Sequence, residues 1–182
     1  MPQYKGIFTV TENQEFNYNN LGISSLVERI VQLEQTSREN GKTIFDRLID
    51  LYREYGFYKE KTLVVNIEED KQKEHFAGLM GSFRNNPPSF LGNYNLKKVL
   101  DYKRRTSRNL ITGKKLTLDF PATNMIQLYL SEGMSITFAP AENKMYHYIS
   151  MSGSLGTQED YQEVSQRFDE KIIKFVETIN KL

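Results

Sequence analysis

The sequence predicts an α+β fold: a small antiparallel sheet flanked by helices and preceded by a helical hairpin. Three observations carry that reading. Apolar residues between Ile23 and Tyr55 recur at three- and four-residue steps, and between Leu63 and Ser150 they mostly alternate. The last 26 residues, from Thr157, return to helical spacing.

The first helix carries the stripe Ile23, Leu26, Val27, Ile30 and Leu33, and Gly41 is placed to end it in a left-handed cap. Thr43 then opens a second helix, "TIFDRLIDLYREY", with Asp46 three residues on as a partial capping box. Gly56 stops it. "TLVVNI" alternates through Leu63, Val65 and Ile67 as a strand, and "KEHFAGLMGSFR" is a helix barred from continuing by Pro87–Pro88. Strands follow in "NLKKVLDYKR", "KLTLDF" and "MIQLYL", then "SEG" at Ser131–Gly133 as a hairpin turn. "SITFA" and "KMYHYIS" are the last strands. The closing helix, Thr157 to Leu182, has the stripe Tyr161, Val164, Phe168, Ile172, Phe175, Val176 and Ile179. Hairpin-connected strands with helices to cover one face make a layered structure. The polar start, Met1–Asn20, offers one short strand at Gly6–Val10.

With 182 residues, 24 Lys plus Arg against 23 Asp plus Glu, and no cysteine, several function classes are excluded. A near-neutral chain is no general polyanion binder, so nucleic acid is not an expected partner. Without cysteine there is no disulfide, thiol nucleophile or thiolate metal site. No apolar run reaches a membrane span, and the start lacks the apolar core of a signal peptide, so a cytoplasmic location is expected.

Chemistry-bearing residues are few. The two histidines, His75 and His147, have no serine elbow or acid placed around them, and each reads as a helix-surface or strand residue. "EED" at Glu68–Asp70 lacks the alternation of a calcium loop, and no phosphate-cradling glycine loop occurs. One basic run, Lys103, Arg104, Arg105, Arg108, Lys114 and Lys115, could hold a phosphate or an acidic partner. Its plainer reading is a solvated loop beside an edge strand, where lysines discourage aggregation.

Several stretches together resemble a known family. "FRNNPPSFLGNYNLKKVLDY", "LDFPATNMIQLYLSEGMSITFAP" and the closing helix run in the order found in α-D-phosphohexomutases, nearest to the bacterial phosphoglucomutase-like branch. The Asn85-Asn86-Pro87-Pro88, Asp101-Tyr102, Pro121-Ala122-Thr123-Asn124 and Glu132-Gly133 groups carry the likeness, which covers about Ile23 to Leu182. The resemblance implies that residues 1–56 are a remnant of the family's third domain. It makes residues 57–182 the fourth, a TBP-like sheet domain that closes over a hexose phosphate. It also implies that the phosphoserine, magnesium and sugar-reading loops of the family lie outside this chain. "TENQEF" keeps Glu12 but not the sugar-reading pattern. Magnesium and a hexose bisphosphate are therefore implied for an intact relative, and no cofactor for this chain.

The same resemblance places the family's phosphate loop, Arg-Pro-Ser-Gly-Thr-Glu-Pro-Lys, at residues 139–144. Ala139 stands for the arginine, Pro140 is kept, Ala141 stands for the serine, and Glu142, Asn143 and Lys144 end a shortened loop. The arginine fork, the hydroxyls and the glycine are missing together. Charge-assisted bonds are worth roughly 1.5–3 kcal/mol each, so phosphate binding at Pro140, Glu142, Asn143 and Lys144 is expected to be weak. Asn124 is expected to satisfy backbone groups at the start of its strand. Two functions follow as expectations. One is a non-catalytic interaction or weak phosphosugar-binding module. The other is a piece of a split or truncated mutase that interconverts hexose 1- and 6-phosphates with a partner chain supplying the missing domains.

Overall fold

A computed structural model of the chain describes residues 23–67 and 70–182. The strand at Gly6–Val10, Glu12, and Glu68 with Glu69 of the "EED" run lie outside those residues. Contacts divide the chain at Leu48/Ile49, inside the second helix.

In the first unit, α1 (Ile23–Glu39) is followed by the start of α2 (Ile44–Tyr55). Gly41 takes φ +67, as the left-handed cap requires. The Gly41 N–H donates to the Arg38 carbonyl at 2.9 Å, and the Lys42 N–H to Ser37 at 2.9 Å. The capping box is reciprocal: the Asp46 N–H donates to Thr43 Oγ1 at 3.1 Å, and the Thr43 N–H to Asp46 Oδ2 at 2.8 Å. The Thr43 N–H and then the Thr43 hydroxyl, both donating to Oδ2, hold the Asp46 carboxyl below the ordinary carboxylate range. Leu26, Val27 and Ile30 of the expected stripe are about half exposed.

The second unit carries the sheet. Its strands are β1 (Phe57–Asn66), β2 (Phe90–Leu91), β3 (Tyr94–Asp101), β4 (Thr106–Asn109), β5 (Lys115–Thr117), β6 (Ile126–Leu130), β7 (Met134–Ala141) and β8 (Lys144–Gly153). They are ordered β1-β8-β7-β6-β3-β4-β5, with β2 paired to β3 and every pair antiparallel. Two helices, α3 (Asp70–Asn85) and α4 (Tyr161–Ile179), cover one face. The α+β class expected from the alternating and helical stretches is the one observed.

Alternation decides which side chains meet the helices. Ile126 and Leu128 of β6 pair across to Phe138 and Ile136 of β7, all four fully buried. Phe83 of α3 lies 5.2 Å from Phe138, and Phe168 of α4 lies 5.0 Å from Phe57. The opposite face carries Tyr129, under the Lys98 ammonium at 4.1 Å, and the stacked pair Tyr146–Tyr148.

"SEG" forms a single 3₁₀ turn joining β6 to β7. Gly133 there has φ +73, and a Cβ on it would overlap the Ser152 carbonyl, so only glycine fits. Glu132 beside it is also left-handed at φ +56, and its carboxylate holds Lys171 Nζ of α4 at 2.6 Å.

The differences from expectation are at short elements. "KLTLDF" yields only three strand residues, and β4 is a separate strand where a loop was expected. β4 has no apolar alternation and exists because neighbouring backbones take its hydrogen bonds, whereas Leu116, Leu118 and Phe120 do alternate but the pairing of β5 with β4 reaches only Thr117. α4 starts at Tyr161 rather than Thr157, because Asp160 caps it by accepting from Gln162 N at 2.7 Å and Glu163 N at 3.1 Å. Glu159 just before it accepts the Gly156 N–H at 2.6 Å and closes the preceding turn. Among the described residues, no helix is long and apolar enough to cross a membrane.

Candidate functional site

One row of the sheet organises this end of the molecule. Asp101 on β3 pairs with Ile126, Ile126 with Phe138, Phe138 with His147, and His147 with Leu63. Just past that row lie the β3–β4 turn, the segment around Asn124, and the β7–β8 turn. Residues 139–144 and the start of the basic run, Lys103–Arg105, therefore share one end of the sheet.

The β7–β8 turn is short. Pro140 pairs with Met145 and Ala141 with Lys144, so only Glu142 and Asn143 lie outside the ladder. The Asn143 carbonyl accepts the Ile67 N–H at 2.8 Å, which ties the turn to the end of β1. Pro140 is half-buried, while Glu142, Asn143 and Lys144 are exposed. Among the described residues the side chains of Glu142, Asn143 and Lys144 have no hydrogen-bond or ion-pair partner. Chemically the turn offers one flexible ammonium and a carboxylate two residues before it. Continuous pairing up to Ala141 and from Lys144 leaves little backbone free to curl around an anion.

The basic run is divided among three elements. Lys103, Arg104 and Arg105 sit on the β3–β4 turn, Arg108 is on β4, Lys114 precedes β5, and Lys115 begins it. Arg105 adopts φ +54, and its Nε donates to the Leu118 carbonyl at 3.3 Å. Asp101 organises the turn: its Oδ1 accepts the N–H groups of Lys103 at 3.1 Å and Arg104 at 3.2 Å.

Arg84, at the end of α3, joins this cluster from above the sheet. Its Nε lies 3.3 Å from Asp101 Oδ1, and its Nη2 donates to Asn124 Oδ1 at 2.6 Å. Asn124 thus serves an arginine side chain rather than the backbone groups expected. Arg104 Nη2 donates to Asn85 Oδ1 at 2.8 Å. Sequence reading missed Arg84 and Asp101. Each stands at the edge of a motif it did recognise, ahead of Asn85-Asn86-Pro87-Pro88 and at the head of Asp101-Tyr102. Around these groups is a cleft of about 230 Å³, lined by Arg84, Val99, Asp101, Arg104, Thr106, Arg108 and Lys115.

The histidines take separate places. His75 is exposed on α3, 5.5 Å from the Phe76 ring. His147 is 4% exposed, with neither ring nitrogen hydrogen-bonded among the described residues. Burial pushes its pKa down, so the neutral form is favoured. Among the described residues no three histidine, aspartate or glutamate side chains gather as a metal site would require.

No family model matches the chain. Curated relatives do. The phosphoglucomutase of Staphylococcus saprophyticus is 27% identical over 150 residues, covering 81% of this chain and 26% of that protein. That of Staphylococcus haemolyticus is 24% identical over 143 residues, with 78% and 25% covered. A phosphoglucomutase of Staphylococcus aureus is 25% identical over 149 residues, with 81% and 26% covered. The chain spans about a quarter of the length of the curated relatives it matches. Together with the antiparallel sheet, its flanking helices and the motif order along it, these matches lead to one conclusion. The chain is similar to phosphoglucomutases over about four-fifths of its own length and about a quarter of theirs, consistent with the C-terminal part of a phosphohexomutase.

Proposed function

We propose that this chain, taken by itself, is a non-catalytic module derived from a phosphohexomutase. It acts in the cytoplasm as an interaction module or a weak phosphosugar binder. The observation that carries the reading is the β7–β8 turn, where Ala141 pairs directly with Lys144. A phosphate clamp needs a forked cation and a run of free N–H groups, and two exposed turn residues supply neither. With two or three charge-assisted bonds missing, affinity falls on the order of a thousandfold, at about 1.4 kcal/mol per decade. The residues 142–144 retain one ammonium, which supports weak attraction for a hexose phosphate and no more.

The test is a mutase assay on the purified chain, with magnesium, glucose 1,6-bisphosphate and either glucose 1-phosphate or glucose 6-phosphate. No interconversion above the uncatalysed rate is expected. Turnover by the chain alone would overturn the reading. Turnover that appears only on adding a second polypeptide with a serine loop and a magnesium loop would replace it with the split-enzyme reading.

A further inference from the structure

The cleft beside Asp101 holds more positive charge than the fold uses. Val99 and Asp101 alternate onto the helix-covered face of β3, and register carries that face to Thr106 and Arg108 on β4 and to Lys115 on β5. Arg84 reaches the same face from α3, and Arg104 from the turn. Four cations thus surround one carboxylate.

Their bonding is unequal. Arg84 is committed to Asp101 and Asn124, and its side chain is only 11% exposed. Arg104 is held at each nitrogen: its Nη2 donates to Asn85 Oδ1 at 2.8 Å, its Nη1 to the Arg84 carbonyl at 3.5 Å, and its Nε stands 3.6 Å from Asp101 Oδ2. Arg108 and Lys115 have no acid partner among the described residues, yet they are directly opposed across the β4–β5 ladder. Opposed residues on one face have Cβ atoms about 4.5–5.5 Å apart, and like charges there destabilise the pair. Apart from Asp101, which Arg84 and Arg104 already hold, the acid just past β5, Asp119, lies 3.8 Å from Arg105.

Edge protection explains a lysine or two pointing into solvent. It does not explain convergence with a largely buried arginine around a concave wall that also carries Thr106. An anion placed in the cleft would relieve the Arg108–Lys115 repulsion and accept from Thr106 Oγ1 and the unused arginine donors. Arginine forks match phosphoryl oxygens two at a time. A volume of about 230 Å³ admits a phosphoryl group with a small body attached, and its confinement to one cleft, not a stripe, fits a small ligand.

We propose that this cleft binds the phosphoryl group of a small phosphomonoester, with Arg108 and Lys115 as its principal cations, Thr106 as a hydroxyl donor, and Arg84 and Arg104 as the wall held in place by Asp101. The site is distinct from the β7–β8 turn, from which β4 is separated by about three strand spacings, on the order of 15 Å. It does not depend on the module being inactive, since the mutase assay and the binding measurement report different things.

The experiment is an NMR titration of the isotope-labelled full chain at low salt, with inorganic phosphate and with glucose 1-phosphate. Saturable amide shifts are expected at Thr106, Arg108 and Lys115 with both ligands, and none that saturate at Lys144. Arg108→Ala and Lys115→Ala should each weaken binding at least tenfold while leaving the rest of the spectrum in place. Lys114→Ala removes the same charge next door without entering the cleft, and should change affinity less than twofold. Saturating phosphate should also raise the melting temperature of the wild-type chain, and raise that of Arg108→Ala less. Shifts that saturate at the β7–β8 turn instead would overturn the proposal. So would Lys114→Ala weakening binding as much as Arg108→Ala, or inorganic phosphate binding without glucose 1-phosphate. So would the absence of saturable shifts at tens of millimolar ligand.

Discussion

His147 is the residue whose chemistry and position disagree most. Its ring lies 5.0 Å from Phe138 and 6.2 Å from Phe76, and its two cross-strand partners are Leu63 and Phe138. A neutral imidazole still carries one donor and one acceptor, and a buried unpaired polar group costs about 1–3 kcal/mol. His147→Leu, close in volume, is expected to raise the melting temperature. The pH dependence has a definite sign. Because the folded pKa is depressed, the full stability is present above the ordinary histidine value near 6.5. It erodes as pH falls from there toward the lowered folded value, since the unfolded chain binds the proton first. The gain from His147→Leu should therefore be larger at pH 5.5 than at pH 7.5, read by thermal melts at both. An equal gain at both would mean that the ring takes up a proton as readily in the fold as outside it. The sequence assigned His147 to a strand through its alternating neighbours. Which face of the sheet it occupied was not legible, because that depends on register with Phe138 and Leu63.

At the scale of the element, the long periodic segments were legible and the short ones were not. α4 announces itself by Val164, Phe168, Ile172, Phe175 and Ile179, all within 5% exposure of complete burial. Its start was misread by four residues because Thr157 and Asp160 are both capping residue types, and only the hydrogen bonds choose between them. Asp160→Ala should destabilise the chain by about 1 kcal/mol, seen as a lower denaturant midpoint with an unchanged slope. No change would show that the turn closed by Glu159 on the Gly156 N–H suffices to start the helix. That Glu159 carboxyl lies below its ordinary pKa, first because of the Gly156 N–H and then because of Arg167. The capping box at Thr43 and Asp46 was readable for the opposite reason: both partners are close in sequence. β4, "TSRN", carries no apolar pattern and exists by pairing, while "KLTLDF" was legible as a strand but not in its length, which stops at Thr117 where the pairing with β4 ends.

The sheet unit as a whole has a graded stability. β6 and β7 are central, doubly paired, and carry the most deeply buried residues, while β5 is an edge whose three residues are all exposed. Native-state hydrogen exchange should find the slowest amides in β6 and β7, near the global unfolding energy, and the fastest of the sheet in β4 and β5. Uniform protection across all strands would mean that the edge opens only with the whole unit. The same gradient explains why the candidate sites were unequally legible. Residues 139–144 are contiguous, so a motif could be laid on them. The cleft takes Arg84 from a helix, Arg104 from a turn, Arg108 and Lys115 from opposed strands, and no spacing along the chain joins them. Six cations were visible as a run, but topology decided which of them converge.

The tight β7–β8 hairpin has a consequence for what the chain could become. β7 is anchored on β6 and β8 on β1, so the register of both strands is fixed from outside the turn. Lengthening the connection between Ala141 and Lys144 would disturb one external hydrogen bond, from Ile67 to Asn143, and little else. Each doubling of loop length costs only about 0.6 kcal/mol. The hairpin is thus an open socket, able to accept a longer loop of any chemistry without the sheet beneath it being redesigned.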